Sequence, residues 1–557
     1  MVCLTGFLVH AINEEESAMH LLDSELKNKE QWEKAGIALP EFDREAMKAK
    51  TKETPQWIHF GAGNIFRAFP AALQQNLLNK GIEKTGIIVA EGYDYEIIRR
   101  AYRPQDDLSL LVTLKANGTI EKTVIGSLAE SLTVDRHDAE DWNRLQEIFA
   151  ADSLQMVSFT ITEKGYSITG PDGSFRSDVA ADFEAGPEGA DSYIGKLAAL
   201  CYWRYTHGAA PVALVSMDNC SHNGDKLFAA VDAYAKAWTE NGKAEDGFLA
   251  YIENPECVSF PWSMIDKITP RPDDSVKKML EECGFTDTEN IVTSKNTYVA
   301  PFVNAEEAEY LVIENAFPNG RPALENSGVM FTERETVERV ERMKVCTCLN
   351  PLHTTLAVYG CLLGYTKISD EMKDEDLVKL VETIGYREGL PVVTDPGILS
   401  PKKFIDEVLQ VRVPNPFMPD TPQRIACDTS QKLSIRFGET IKAYLASSEL
   451  DVKSLKFIPM VQAGWCRYLL GVDDELNPFT VSPDPMYGEL AAKLAGVKVG
   501  ESCDVHAVLE PIFSDAAIFG VNLYEAGLGE YAEAVFAELI AGKGAVRQTL
   551  KKHLAKV

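Results

Sequence analysis

A short buried run, Trp57-Ile-His-Phe60, ends in Gly61-Ala-Gly63, and the chain passes straight into an amphipathic stretch from Ile65 to Asn79 that Gly81 stops. This strand, glycine turn and helix constrain the fold more than any other feature. A strand with no polar alternation is covered on both faces, which is the condition of a parallel sheet flanked by helices. The pattern recurs. Gly86-Ile-Ile-Val-Ala90, Gln155-Met-Val-Ser-Phe-Thr-Ile161 and Pro211-Val-Ala-Leu-Val-Ser216 are further buried runs separated by helical segments. Strands alternating with helices predict an α/β domain of Rossmann type over residues 55–305. Beyond it, amphipathic stretches such as Glu333–Met343, Leu352–Leu363, Gln431–Ala446 and Tyr531–Ile540 predict a mainly α-helical domain over 306–557. Ahead of both, residues 1–54 read as a helical extension with Leu21, Leu22, Leu26 and Trp32 as its apolar positions. Within it the helical segment ends at Pro40 and Asp43, before a Lys-rich linker from Lys48 to Lys52.

With 557 residues the chain is long enough for two large cores. A net charge of −29 repels nucleic acid and anionic membranes, so neither is expected as a partner. It also means that any site for a small anion must be built locally from Arg and Lys. The 11 cysteines form no paired framework, which fits reduced thiols in a cytoplasmic setting. Cys346-Thr-Cys348 has no second Cys/His pair at zinc-like spacing, so no metal site is expected. The stretch Met1–Ile12 lacks a basic start and a long apolar core, so it does not read as a signal peptide. No run approaches the ~18 apolar residues of a membrane span.

The glycine turn suits a dinucleotide. Gly61 and Gly63 fit a tight turn and a close approach of backbone to pyrophosphate. Asn64, Ile65 and Phe66 then open a helix whose free N–H groups favour the anion. Phe66 stands where a third glycine is usual. The next strand ends at Glu91, whose carboxylate would accept the adenosine ribose hydroxyls and repel a 2′-phosphate, favouring NAD over NADP; Asp94 competes for that role.

Several short motifs, in order, carry a resemblance. They are Gly61-Ala-Gly-Asn-Ile-Phe-Arg67, Pro104-Gln-Asp106, Thr162-Glu-Lys-Gly-Tyr166, Asp218-Asn219, Asn223-Gly224, Phe260-Pro-Trp-Ser-Met-Ile-Asp266-Lys-Ile-Thr-Pro270, Glu341-Arg-Met-Lys344, Asn350-Pro-Leu-His353 and Asp428-Thr-Ser-Gln-Lys432. From about residue 57 almost to its end the chain resembles the mannitol dehydrogenase family, polyol-specific long-chain dehydrogenases that act without zinc. The resemblance implies an NAD-dependent enzyme for a small sugar acid or polyol, working as a monomer or small homo-oligomer. It favours interconversion of a keto-hexuronate and its hexonate, fructuronate and mannonate first. A hexitol 2-dehydrogenase or tagaturonate reductase is the alternative, and a non-catalytic NAD-binding sensor the remote one. It implies Lys344 as general base, Asn219 and Asn350 as oxyanion partners, and His353 as the residue that orients substrate. Glu163 and Glu341 would relay the lysine proton to water, and Arg424, Lys432 and Asp266 would face the substrate. The chemistry explains these types. Oxidising a secondary alcohol without a metal needs a side chain to take the hydroxyl proton and amide donors to steady the alkoxide.

Read alone, Lys344 is a solvated lysine at a helix end, Asp266-Lys267 a surface pair, and Asn350 before Pro351 a helix cap. The family has four residues between its lysine and asparagine; here five, Val345 to Leu349, intervene. On one regular helix the nine steps from Lys344 to His353 turn about 900° and put the two on opposite faces. A shared site therefore requires either a chain break near Cys348–Asn350 with a second helix starting at Pro351, or a π-bulge that absorbs the extra residue.

Overall fold

The computed structural model describes residues 18–556; the Met1–Ile12 reading lies outside them. Six strands form one parallel sheet: β1 Trp57–Phe60, β2 Ile87–Glu91, β3 Leu128–Thr133, β4 Met156–Phe159, β5 Val212–Ser216 and β6 Val258–Ser259. Their order is β3-β2-β1-β4-β5-β6. This is the doubly wound Rossmann order, and its switch point lies between β1 and β4, at the carboxyl end where Gly61 begins. Trp57 pairs with Met156 and Phe60 with Phe159. Every residue of β1, β2, β4 and β5 is buried, which is why these strands read as continuous runs. Apolar cores lie on the two sheet faces, one around Phe149, Leu197 and Tyr234, the other around Leu73, Leu77 and Ile98.

Three local expectations are corrected. The helix after Gly63 is two pieces, Asn64–Ala68 and Pro70–Asn79, broken at Phe69 (φ −129°, ψ −74°); Pro70 cannot continue the first and disfavours helical geometry at the residue before it. The Lys48–Lys52 segment is no linker but part of a helix, Arg44–Glu53, whose first turn is capped by the Asp43 side chain accepting from the Ala46 N–H. The extension is also not purely helical: Ile37–Ala38 adds a short parallel strand to Ile120–Ile125.

Three smaller sheets escaped the sequence reading, one of them only the pair Ile291–Val292 and Tyr298–Val299. Ser109–Leu114 lies between Ile120–Ile125 and Phe302–Glu306. Tyr310–Glu314 lies between Ser263–Asp266, antiparallel, and Met330–Thr332, parallel. Past Thr332 the described chain is helical with no further strand element. Its core surrounds two almost wholly buried helices, Asn350–Leu362 and Phe457–Tyr468. Among the described residues no helix is long and apolar enough to cross a membrane.

Candidate active site

The motifs lock to one another before any of them meets a ligand. Asp218, just past β5, accepts from the Ile161 and Thr162 N–H groups (both 2.9 Å) and from the Tyr166 hydroxyl. Asn223 donates through Nδ2 to the carbonyl of Asp218 and to Ser263, and accepts the Ser263 N–H at 3.0 Å. Gly224 follows because a Cβ there would stand 2.5 Å from the Phe260 carbonyl oxygen. The loop carrying Asn219 and the strand carrying Asp266 are thus held side by side.

Glycine is needed at Gly61, where φ is +110° and a Cβ would meet the Thr160 carbonyl oxygen at 2.4 Å. Gly63 differs: nothing lies within 4 Å of a Cβ built there, so the space beside it is open. Asn64 accepts from Arg67 Nη2 at 2.8 Å. Phe66 enters the core, stacked on the His59 ring at 4.2 Å, so its side chain is withdrawn from the turn. The Tyr102 hydroxyl donates to the Ala62 carbonyl and braces the turn from behind.

Glu91 is turned inward. Its Oε2 accepts from the Ala62 N–H at 2.8 Å, and Oε1 from the N–H groups of Tyr93 (2.8 Å) and Asp94 (3.0 Å). Three of the four acceptor positions of the carboxylate hold the glycine turn and the β2 end, leaving one on Oε2 for a ribose hydroxyl. Burial pushes the carboxyl up, against the pull of these three donors. Asp94 is also buried, with Oδ2 accepting from the Thr293 hydroxyl at 2.6 Å.

The chain between Lys344 and Asn350 uses both devices at once. Helix Arg334–Met343 runs into a π-helical turn, Lys344–Cys348, in which the Leu349 N–H bonds the Lys344 carbonyl at 3.1 Å. Leu349 (φ −127°, ψ −62°) then breaks the helix, which restarts at Asn350 with Pro351 in its first turn. Asn350 is not the cap; Leu349 holds that position and no side chain caps the helix. The wide turn and the break rotate Lys344, Asn350 and His353 to the same side.

These three line one cavity of about 230 Å³ together with Asn219, Asp266, Arg412, Asn415, Asp420 and Arg424. Lys344 is 3% exposed. Its Nζ pairs with Asp266 Oδ1 at 3.3 Å, an ion pair without good hydrogen-bond direction. Burial brings its amine below the usual lysine range, although the Asp266 charge pulls the other way. Burial pushes Asp266 up, but the charges of Lys344 and Arg412 outweigh it and hold the carboxyl below its ordinary range. His353 is brought down to about 4 by burial, with Asp420 opposing, so it is neutral at pH 7; its Nε2 lies 3.6 Å from Asp420 Oδ2. Arg424, its side chain 63% exposed, pairs with Asp420 at the rim.

Other expected residues fall elsewhere. Glu163 and Glu341 are absent from the cavity wall. Glu163 is 65% exposed and pairs with Lys226 at 2.5 Å, and both acids bear on Cys220, the neighbour of Asn219. Lys432 does not line the cavity; its Nζ bonds the Cys427 carbonyl oxygen. Asp266 is no surface residue but the centre of a buried ion cluster. The sequence reading missed Arg412, Glu306 and Asp420. The one available signal was chemical: a buried aspartate needs a cation, and Arg412 is a charge within an apolar run.

Comparison with known proteins places this geometry. The Mannitol dehydrogenase Rossmann domain matches residues 55–326 and the Mannitol dehydrogenase C-terminal domain residues 336–523. The chain is 52% identical to D-mannonate oxidoreductase of Thermotoga maritima, over 97% of this chain and 99% of that one. It is 27% identical to D-mannonate oxidoreductase of Escherichia coli, over 86% and 92%. Among solved structures, substrate-free D-sorbitol dehydrogenase superimposes with a TM-score of 0.76 at 26% identity, covering 92% of this chain and 97% of that chain. Pseudomonas fluorescens mannitol 2-dehydrogenase, in ternary complex with NAD and D-mannitol, gives 0.65 at 26% identity, covering 94% and 97%. The chain belongs to the mannitol dehydrogenase family.

Proposed function

We propose that this chain is an NAD-dependent oxidoreductase that interconverts a keto-hexuronate and its hexonate, fructuronate and mannonate first, with Lys344 as the acid–base group. The observation that carries the reading is the Lys344 amine: buried, held only by an ion pair with Asp266 at 3.3 Å, and facing a small cavity shared with Asn219, Asn350 and His353. The 52% identity to a D-mannonate oxidoreductase supports the substrate class.

The dinucleotide residues fit NAD. Gly61 keeps the turn tight, the open space beside Gly63 admits a pyrophosphate, and the free acceptor position on Glu91 suits a ribose hydroxyl. Bound NAD would supply the hydride chemistry. The chain's own residues do the rest. In alcohol oxidation the neutral Lys344 amine takes the hydroxyl proton, and burial keeps that form accessible. The amide N–H groups of Asn219 and Asn350 steady the developing oxyanion. Neutral His353 offers a hydrogen bond to a substrate hydroxyl without adding charge. Arg424 at the rim meets the sugar carboxylate. Only the neutral amine accepts a proton, so oxidation rises with pH through the lysine's lowered value and ketone reduction falls.

One observation favours a hexitol dehydrogenase as the second reading: Asp420 already neutralises Arg424, which weakens the case for an anionic substrate. Measuring NADH oxidation with fructuronate, tagaturonate and fructose decides. The proposal expects turnover with a keto-hexuronate at least ten times that with fructose. Fructose as the better substrate moves the assignment to the hexitol branch, and no turnover with any of the three contradicts an enzyme of this class.

A further inference from the structure

Behind Lys344 lies an ion cluster whose parts come from both halves of the molecule. Asp266 ends the strand Ser263–Asp266 and Glu306 ends the strand Phe302–Glu306. Arg412 comes from the π-helical turn Val408–Arg412 of the helical region. All are buried: Asp266 is 8% exposed, Glu306 1% and Arg412 6%. Arg412 donates from Nε and Nη2 to Glu306 at 3.2 and 2.7 Å, from Nη2 to Asp266 Oδ1 at 3.1 Å, and from Nη1 to Asp266 Oδ2. These four bonds leave one N–H on Nη1, so the guanidinium has no free fork for a substrate carboxylate.

We propose that Arg412 and Glu306 are positioning residues that fix the Asp266 carboxylate against Lys344 and set how tightly Lys344 holds its proton. The inference rests on the reading of Lys344 as the acid–base group, but its test does not. With Lys344 protonated and Glu306 ionised, two cations and two carboxylates balance; burial pushes the Glu306 carboxyl up, while the Arg412 charge and its two bonds to Glu306 favour the ionised form. Removing either member of the Arg412–Glu306 pair leaves one uncompensated charge beside Lys344 in a water-poor site, where it acts strongly. The sign depends on which member is lost. Without Arg412, two carboxylates favour the ammonium; without the Glu306 charge, Arg412 repels it.

The other ionisable groups near Lys344 do not supply this balance. The Tyr310 ring centroid is 6.0 Å from its Nζ, and burial, reinforced by the Asp266 charge, holds that phenol neutral. His353 is neutral and Asp420 pairs with Arg424. On the segments packed against the Lys344 turn, Arg436 donates to Thr354, Glu388 accepts the N–H groups of residues 456–458, and Glu439 pairs with Arg342 and Lys442. Glu407 bears on Arg412, Glu306 and Asp266 rather than on Lys344, and burial pushes its carboxyl up.

The test follows the lysine itself. Full-length protein is treated with cyanate across a pH series, and carbamylation of the Lys344 peptide is read by mass spectrometry, which gives the titration of that amine whatever its role. Glu306→Gln should move it down by about one pH unit and Arg412→Gln up by at least as much. The double variant Glu306→Gln/Arg412→Gln removes one charge of each sign and should return close to native, so the proposal stands on this variant and Glu306→Gln even if Arg412→Gln does not fold. Shifts in the same direction, or an unmoved Lys344 in Glu306→Gln, overturn the proposal. If the amine shifts as expected while the pH limb of kcat does not, this inference holds and the lysine-base reading fails.

Discussion

Replacing Glu91 by alanine separates two roles that its carboxylate combines. The side chain is buried and accepts three backbone N–H groups, one from the glycine turn and two from the end of β2. A hydrogen bond to a charged group contributes roughly 1.5–3 kcal/mol, and three orphaned donors would sum to more than the protein loses, because the alanine variant also escapes the cost of burying an ionised carboxylate. Burial raises the Glu91 carboxyl despite its three donors, so that cost is substantial. A net loss of about 2–4 kcal/mol follows, which lowers the melting temperature of a domain this size by roughly 5–12 °C. The assay pairs a thermal melt with fluorescence titrations of NADH and NADPH. The structure predicts a lower melt and weaker binding of both cofactors as the turn loosens. NADH should lose somewhat more, so that the preference between them narrows. A variant that melts with the native protein while binding NADPH more tightly would refute the bracing role and leave Glu91 as a cofactor contact alone.

Glu371 is buried without a hydrogen-bond partner, and burial, with a smaller contribution from Asp374, pushes its carboxyl up to about 9. A folded-state value above the unfolded one means its stability contribution is complete below about 4.5 and is lost as pH rises toward 9; Glu371→Gln should therefore melt progressively higher than the native protein across that window, and a constant difference would contradict it. Because the proposed chemistry assigns the proton to Lys344, activity should survive prolonged chelation. Loss that Zn²⁺ or Mn²⁺ restores would redirect the mechanism to a metal.

What the sequence disclosed and concealed follows from how each signal arises. The sheet was legible because strands buried on both faces leave unbroken runs such as Trp57–Phe60, and helices such as Arg334–Met343 carry a strong apolar stripe. The Ser109–Leu114 and Phe302–Glu306 strands were not, since they pair across nearly two hundred residues that local pattern cannot join. The conflict between Lys344 and His353 on one helix pointed to an irregularity, and the structure resolves it with a π-turn and a break together. Lys344, Asn219, Asn350 and His353 were named from short motifs; Glu306 left no local trace, and Arg412 only that of a charge in an apolar run, because their meaning lies in the pairing of distant segments. Glu163 and Lys432 show the converse: a motif locates a residue in the chain but does not aim its side chain.

The most direct test of the central claim compares two lysines. Lys344→Ala and Lys432→Ala are purified, checked for NADH binding by fluorescence, and assayed for hexonate oxidation across pH. If Lys344 takes the alcohol proton, Lys344→Ala loses ~10²–10⁴-fold in kcat with NADH binding nearly intact, and the rise of rate with pH disappears. Lys432, bonded to the Cys427 carbonyl and outside the cavity wall, should leave kcat and its pH dependence nearly native when replaced. Near-native kcat in Lys344→Ala together with its collapse in Lys432→Ala would contradict the account.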